Sequence, residues 1–373
     1  GATGVAIYEA YKQEAAKKAK GTYEMHLTGF DWGCAVTKVV LSLNKSLDAV
    51  TPESFVVSET KQYTDFSQVP EFPVVEGTFP RRVTDAYLCD ENGYKVEEPS
   101  PYVAIELYAS PTEGGALLFS MKTMFNTWSD PYYLTFTIAE NANLTHNGNP
   151  IETLVIEQDP MYVTTDADEF GLDTFTATNG QKYQYAFFEP DKPSETLVVW
   201  LHGIGEGGTE NTDPLVTLLA NKVTALSKEP FQSIVGPSYV LAPQCPTYWM
   251  DNVGDGSTLF GGEIHADGTS YYTQSLIELI DDYKEKVGAK KVVICGCSNG
   301  GYLTMVLAMK VGKKYDCYVP ICEAVGDKYI SEAQIETLAQ VPLFFIYSLD
   351  DPTVDPQLHE IPTITRLVNA GAT

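Results

Sequence analysis

A change of hydrophobic rhythm at about residue 165 constrains this chain more than any other feature. Before it, short apolar-polar alternations recur at Lys38 to Leu43, Ser54 to Ser58, Arg82 to Cys89, Tyr102 to Ala109 and Tyr133 to Ala139, with turn residues such as Asp90-Glu91-Asn92-Gly93 between them. A period of two places alternate side chains on one face, so these runs predict half-buried strands. Beyond residue 165 the apolar runs become short and unbroken: Leu197 to Leu201, Tyr239 to Ala242, Val292 to Cys295, Cys317 to Val319 and Leu343 to Tyr347. Helical stretches, Ser275 to Lys286 and Gly301 to Val311, lie between them. Strands buried on both faces and alternating with helices predict a mostly parallel sheet with flanking helices. Residues 23–165 are therefore expected to form an all-β, immunoglobulin-like sandwich, and 166–373 an α/β domain that opens with a hairpin across Asn179-Gly180. Residues 1–22, rich in Ala, Glu and Lys, read as a lead-in arm without assigned function.

Charge removes several function classes. With 50 acidic and 24 basic residues the formal charge is −26, which repels a phosphate backbone or an anionic membrane surface. Nucleic acid is thereby excluded as a partner, and no apolar run approaches the roughly 20 residues of a membrane span. The seven cysteines, at 34, 89, 245, 295, 297, 317 and 322, show neither a CxxC pair nor zinc-finger spacing, so they read as small core residues and no metal site is expected.

Three segments carry chemistry. Gly296-Cys297-Ser298-Asn299-Gly300 stands between a strand and a helix, where a nucleophile on a sharp turn needs small neighbours and gains an exposed hydroxyl. The Asn299 N–H at the start of that helix faces a developing oxyanion. His202-Gly203-Ile204-Gly205-Glu206-Gly207-Gly208 follows the strand ending at Leu201; its letters satisfy G-x-G-x-x-G, yet the acidic residue that a dinucleotide fold wants about 20 positions on is replaced by Lys222 and Val223. The better reading is an oxyanion loop, with the Ile204 N–H as donor and Gly205 second, and with His202 shaping the loop instead of moving protons. Ser348-Leu349-Asp350-Asp351-Pro352-Thr353-Val354 follows a strand, where a triad needs its carboxylate; Asp351 is favoured over Asp350.

With Ala242-Pro243-Gln244-Cys245-Pro246, Trp249 and Val319-Pro320-Ile321-Cys322, these motifs resemble the bacterial α/β-hydrolase esterases related to poly(3-hydroxybutyrate) depolymerases and feruloyl esterases, over residues 170 to 373. Part of that family carries an immunoglobulin-like domain in front. The resemblance implies a serine carboxylesterase without cofactor, with Ser298 as nucleophile, Asp351 as triad acid and Ile204 and Asn299 as oxyanion donors, but names no substrate; short-chain or aromatic acyl esters are expected. A serine peptidase of the same fold, and a catalytically silent glycan- or partner-binding protein, are the competing readings. Acidity and the leading sandwich point to a secreted or cell-surface bacterial protein, whereas seven free thiols point the other way. The opening Gly1-Ala-Thr-Gly, without Met or an apolar leader, reads as a processed product.

The triad histidine is not found. His359 stands too near Asp351, His26 and His146 fall in the β domain, and His265 lies in the Gly254 to Gly268 insertion that is expected to fold over the site. The chain is accordingly expected to break off before a last strand and a histidine-bearing loop, supplied by a separate C-terminal fragment of the same protein; a homo-oligomer is the other partner expectation besides the small-molecule ester.

Overall fold

A computed structural model describes residues 2–210, 212–260 and 263–373. Gly1, Asn211 and the insertion's Gly261 and Gly262 lie outside the described residues. The contacts divide the chain into two compact units, the first comprising the residues up to Ser120, Trp128–Asp168 and Leu219–Asn221, and the second Met121–Thr127, Glu169–Leu218 and Lys222–Thr373.

In the first unit the alternating runs build two sheets. One has the order Thr153–Ile156, Lys18–Phe30, Gly33–Leu47, Ser100–Leu107, Val83–Cys89, and Tyr162–Thr165 also pairs with Lys18–Phe30. The other has the order Val74–Arg81, Phe55–Thr64, Tyr132–Ile138. Tyr23 ties the two together: its ring meets Phe136 edge-on at 5.1 Å, and its hydroxyl accepts the Leu134 N–H at 3.1 Å. Arg81, fully buried, is held by Glu59 at 3.3 Å, which compensates its charge, and donates to the Val36 carbonyl at 2.6 Å. The arm expected over residues 1–22 is corrected at one end, because the strand begins at Lys18; the helix before it, Ala2–Ala16, buries no residue.

The second unit is an α/β hydrolase sheet in the order Gly171–Thr176, Lys182–Phe188, Ser238–Gln244, Thr196–Leu201, Lys291–Cys297, Cys317–Ile321. The first pair is the antiparallel hairpin, and the last four strands run parallel. Thr196–Leu201 is buried at five consecutive positions because both faces are covered, as its unbroken apolar run requires. The helix Thr273–Val287 buries Leu276, Ile277, Leu279, Ile280 and Tyr283 at three-to-four spacing, carries Lys284 and Lys286 in its last turn, and ends on Gly288 at φ 72°. The stretch Leu343 to Tyr347 makes only two parallel bridges, Tyr318 to Leu343 and Ile321 to Ile346, and no full ladder.

Candidate active site

The tops of the parallel strands collect the residues with chemistry. Strand Lys291–Cys297 ends in the middle of the sheet, and the chain turns at Ser298 into the helix Asn299–Val311. Ser298 holds φ 53° and ψ −109°, a conformation that costs an L-residue of order 1–3 kcal/mol. The turn is over-determined. The Ser298 N–H donates to the Ile321 carbonyl at 2.9 Å, and its carbonyl accepts the Tyr302 N–H at 2.8 Å. A side-chain carbon at Gly296 would stand 2.6 Å from the Gly300 carbonyl and 2.7 Å from the Leu201 oxygen, so no larger residue fits there.

Asn299 is buried, and its Oδ1 accepts the Met250 N–H at 3.0 Å. Its own N–H, the first of the helix, has no intrahelical acceptor. Among the described residues neither this N–H nor that of Ile204 donates to a protein acceptor.

The loop of Ile204 is laced to its surroundings. Buried His202 donates from Nδ1 to the Gly203 carbonyl at 2.7 Å, and its Nε2 accepts the Cys245 N–H at 2.9 Å. The second bond forces the ring proton onto Nδ1, and burial drives the pKa down to about 4, so the ring is neutral. Because a trans peptide points its C=O and N–H in opposite directions, fixing the Gly203 carbonyl also aims the Ile204 N–H. The Gly208 N–H reaches the Cys245 carbonyl at 2.8 Å, and the Asn126 N–H reaches the Gly205 carbonyl at 2.6 Å.

Asp351 follows the bridged residue Ile346 and is half-buried; its Oδ1 accepts the N–H groups of Thr353 at 2.9 Å and Val354 at 3.0 Å. Asp350 is exposed and takes the Ser348 hydroxyl, which lowers its pKa. Cys322, at φ 39°, lies close enough to the Ser298 N–H and to Asp351 to feel both, and burial pushes its thiol up.

Two acids that the sequence reading passed over lie beside this group. Glu323 and Glu360 are buried, and Glu323 Oε1 and both Glu360 oxygens have no hydrogen-bond partner. Burial raises both pKa values, and each of the two carboxyls is near other acids. A Glu within the apolar run Pro320-Ile321-Cys322-Glu323-Ala324-Val325 was the available signal. Next to Met250 and Tyr302 opens a cavity of about 520 Å³, also lined by Ile264, Ala266, Tyr329 and His359.

His26 bonds Thr164 and Asp166, and His146 bonds the Ser46 carbonyl, both in the first unit. His265 sits on the short hairpin of Leu259–Phe260 and Glu263–Ile264, with its N–H on the Thr258 carbonyl; His359 bonds the Asp355 carbonyl at 2.7 Å. No hydrogen bond joins a histidine ring to the Ser298 hydroxyl among the described residues, and no group of three or more metal-ligating side chains occurs among them.

Residues 22–152 match the esterase Ig-like N-terminal domain, and residues 184–363 match the phospholipase/carboxylesterase family. A probable carboxylesterase, SOBER1-like, of Arabidopsis thaliana is 24% identical over 184 residues, 44% of this chain; the chain spans 63% of that relative's length. The crystal structure of a thermostable esterase superposes with a TM-score of 0.72 at 21% identity, covering 94% of this chain and 88% of that one, which establishes the common fold. A ferulic acid esterase reaches only a TM-score of 0.39 over 55% of the chain, too distant to sharpen the resemblance to feruloyl esterases. The chain thus joins an esterase Ig-like N-terminal domain to a phospholipase/carboxylesterase domain with the α/β-hydrolase fold.

Proposed function

We propose that the protein is a serine carboxylesterase that hydrolyses short-chain or aromatic acyl esters through an acyl-enzyme, without a cofactor. One observation carries the proposal: a half-buried hydroxyl on a strained strand-to-helix turn, with the unclaimed N–H groups of Ile204 and Asn299 on the two segments that flank it. Ser298 Oγ bonds to the ester carbonyl carbon while a base takes its proton, and the carbonyl oxygen becomes an oxyanion held by the two N–H groups. Collapse expels the alcohol, which recovers the proton from the base, and water then repeats the sequence to release the acid. Asp351 is the carboxylate that orients the base. The cavity beside Tyr302 and Met250 receives part of the ester.

The base is assigned to a histidine carried by a segment laid along the Leu343 to Ile346 edge. Phe344 and Ile346 are 64% and 44% exposed there, and a groove of about 550 Å³ between that edge and the helix Glu360–Asn369 is lined by Phe344, Phe345, Ile364 and Val368. Folded proteins cover such edges. The segment is a C-terminal fragment of the same protein, with a second copy of the chain as the competing source.

Hydrolysis of a chromogenic acyl ester tests the proposal. Residues 1–373 alone are expected to turn over about 10⁴–10⁶-fold more slowly than the protein with the segment present, and Ser298→Ala is expected to abolish the faster rate. A full rate from residues 1–373 alone would place the base within them. Preference for peptide amides would favour a peptidase, and no Ser298-dependent turnover of either substrate a binding protein.

A further inference from the structure

Glu206 has no part in the chemistry above, yet the loop of His202 to Gly208 is built around it. The residue is 5% exposed, and its Oε2 accepts the Gly203 N–H at 2.8 Å. Its main-chain carbonyl accepts the Gln244 side-chain amide at 3.1 Å. A side-chain carbon placed on Gly203 would stand 3.6 Å from both Glu206 Oε2 and Cys297 Sγ. The carboxyl therefore lies against the peptide that leads to Ile204, beside the residue that precedes Ser298.

Gly203 is thus gripped on both sides, its N–H by Glu206 and its carbonyl by His202. Its backbone carries no side chain to resist rotation, so these two bonds set the orientation of the Ile204 N–H. Among the described residues the titratable groups facing the carboxyl are His202 on its own loop, with Nδ1 4.0 Å from Oε2, and Cys297 at the end of the adjoining strand; Cys245 holds the far side of the His202 ring. Burial keeps all three uncharged at neutral pH, lowering His202 to about 4 and raising both thiols. Burial also raises Glu206 to about 8, against the opposing pull of the Gly203 N–H.

We propose that Glu206 is a positioning residue of the oxyanion loop, that it acts through the Gly203 N–H, and that it does so as the neutral acid. The role rests on the esterase reading. Its chemistry is simple: an ionised carboxylate next to the Gly203 peptide opposes the negative charge that the adjoining Ile204 N–H must stabilise, so the transition state is disfavoured once the proton is lost.

The test uses the full-length enzyme with its triad complete. Glu206→Ala is expected to lower kcat up to about 100-fold with little change in KM, because the misplaced donor acts in the transition state. Glu206→Gln, which keeps the acceptor and stays neutral, is expected to restore most of kcat and to remove the fall in kcat above about pH 8. Difference infrared spectroscopy is expected to show a protonated carboxyl band at pH 7 that disappears in Glu206→Gln. An alkaline limb unchanged in Glu206→Gln, or no such band at pH 7, overturns the proposal while the esterase reading stands. A wild-type enzyme without Ser298-dependent turnover overturns both.

Discussion

Ser298, the proposed nucleophile, sits in a strained backbone conformation. Its φ of 53° is imposed by the Ile321 and Tyr302 hydrogen bonds and by the lack of room at Gly296. Ser298→Gly relieves the strain, of order 1–3 kcal/mol, at a cost of about 0.5–1 kcal/mol in backbone entropy. It is expected to be about 1 kcal/mol more stable than Ser298→Ala by urea denaturation, with esterase activity gone in both. Equal stability of the two would show that the turn stores no strain. The turn of the proposed nucleophile was legible because glycines at 296 and 300 around a serine, between an apolar run and a helix, have few other physical uses. Glu206 was not, since its role depends on burial beneath a loop whose other anchor, Cys245, lies far along the chain.

Among elements, the segment from Thr247 to Thr258 is organised by one buried carboxylate. Asp251 accepts from the Thr247 and Thr258 hydroxyls and from the Val253 and Gly256 N–H groups. Burial by itself would raise its pKa, but the N–H groups of Gly254 and Gly256 lead the donors that outweigh it, and the net shift is downward. Its contribution to stability is therefore present above the ordinary Asp value and lost as pH falls through the lowered one. Asp251→Asn is expected to cost about 2–3 kcal/mol. Because Ile264, on the strand pair that follows, and Ala266, just beyond it, line the cavity beside Tyr302, KM for bulky acyl esters is expected to rise more than kcat falls. Steady-state kinetics on a short and a bulky ester check this, and unchanged KM would separate the segment from substrate binding. The insertion was visible as a glycine-rich stretch; its wall-forming role comes from hydrogen bonds that no local pattern announces.

For the whole molecule, buried titratable groups set the pH response. Glu206, raised to about 8, and Glu323 and Glu360, raised by burial, favour the protonated folded state. Their stabilisation is complete below the ordinary Glu value and declines as pH rises through the folded values, and a charge of −26 adds repulsion in the same direction. His202, lowered to about 4, works oppositely, removing stability as pH falls from about 6.5, as do lowered acids such as Asp251 at still lower pH. The melting temperature is expected to peak in mild acid and to fall toward pH 9, with a smaller fall in Glu360→Gln; an equal fall in that variant would show that Glu360 does not titrate in the folded protein. The sequence by itself determined the two fold classes and marked the strand-to-helix turn at Ser298. These follow from hydrophobic period and turn chemistry, which act over a few residues. Only the tertiary structure decided which acids are buried, how the Ile204 loop is held and that no histidine bonds the Ser298 hydroxyl among the described residues. Burial and hydrogen-bond partnership join residues far apart in the chain, and neither leaves a mark in the local alternation of residues.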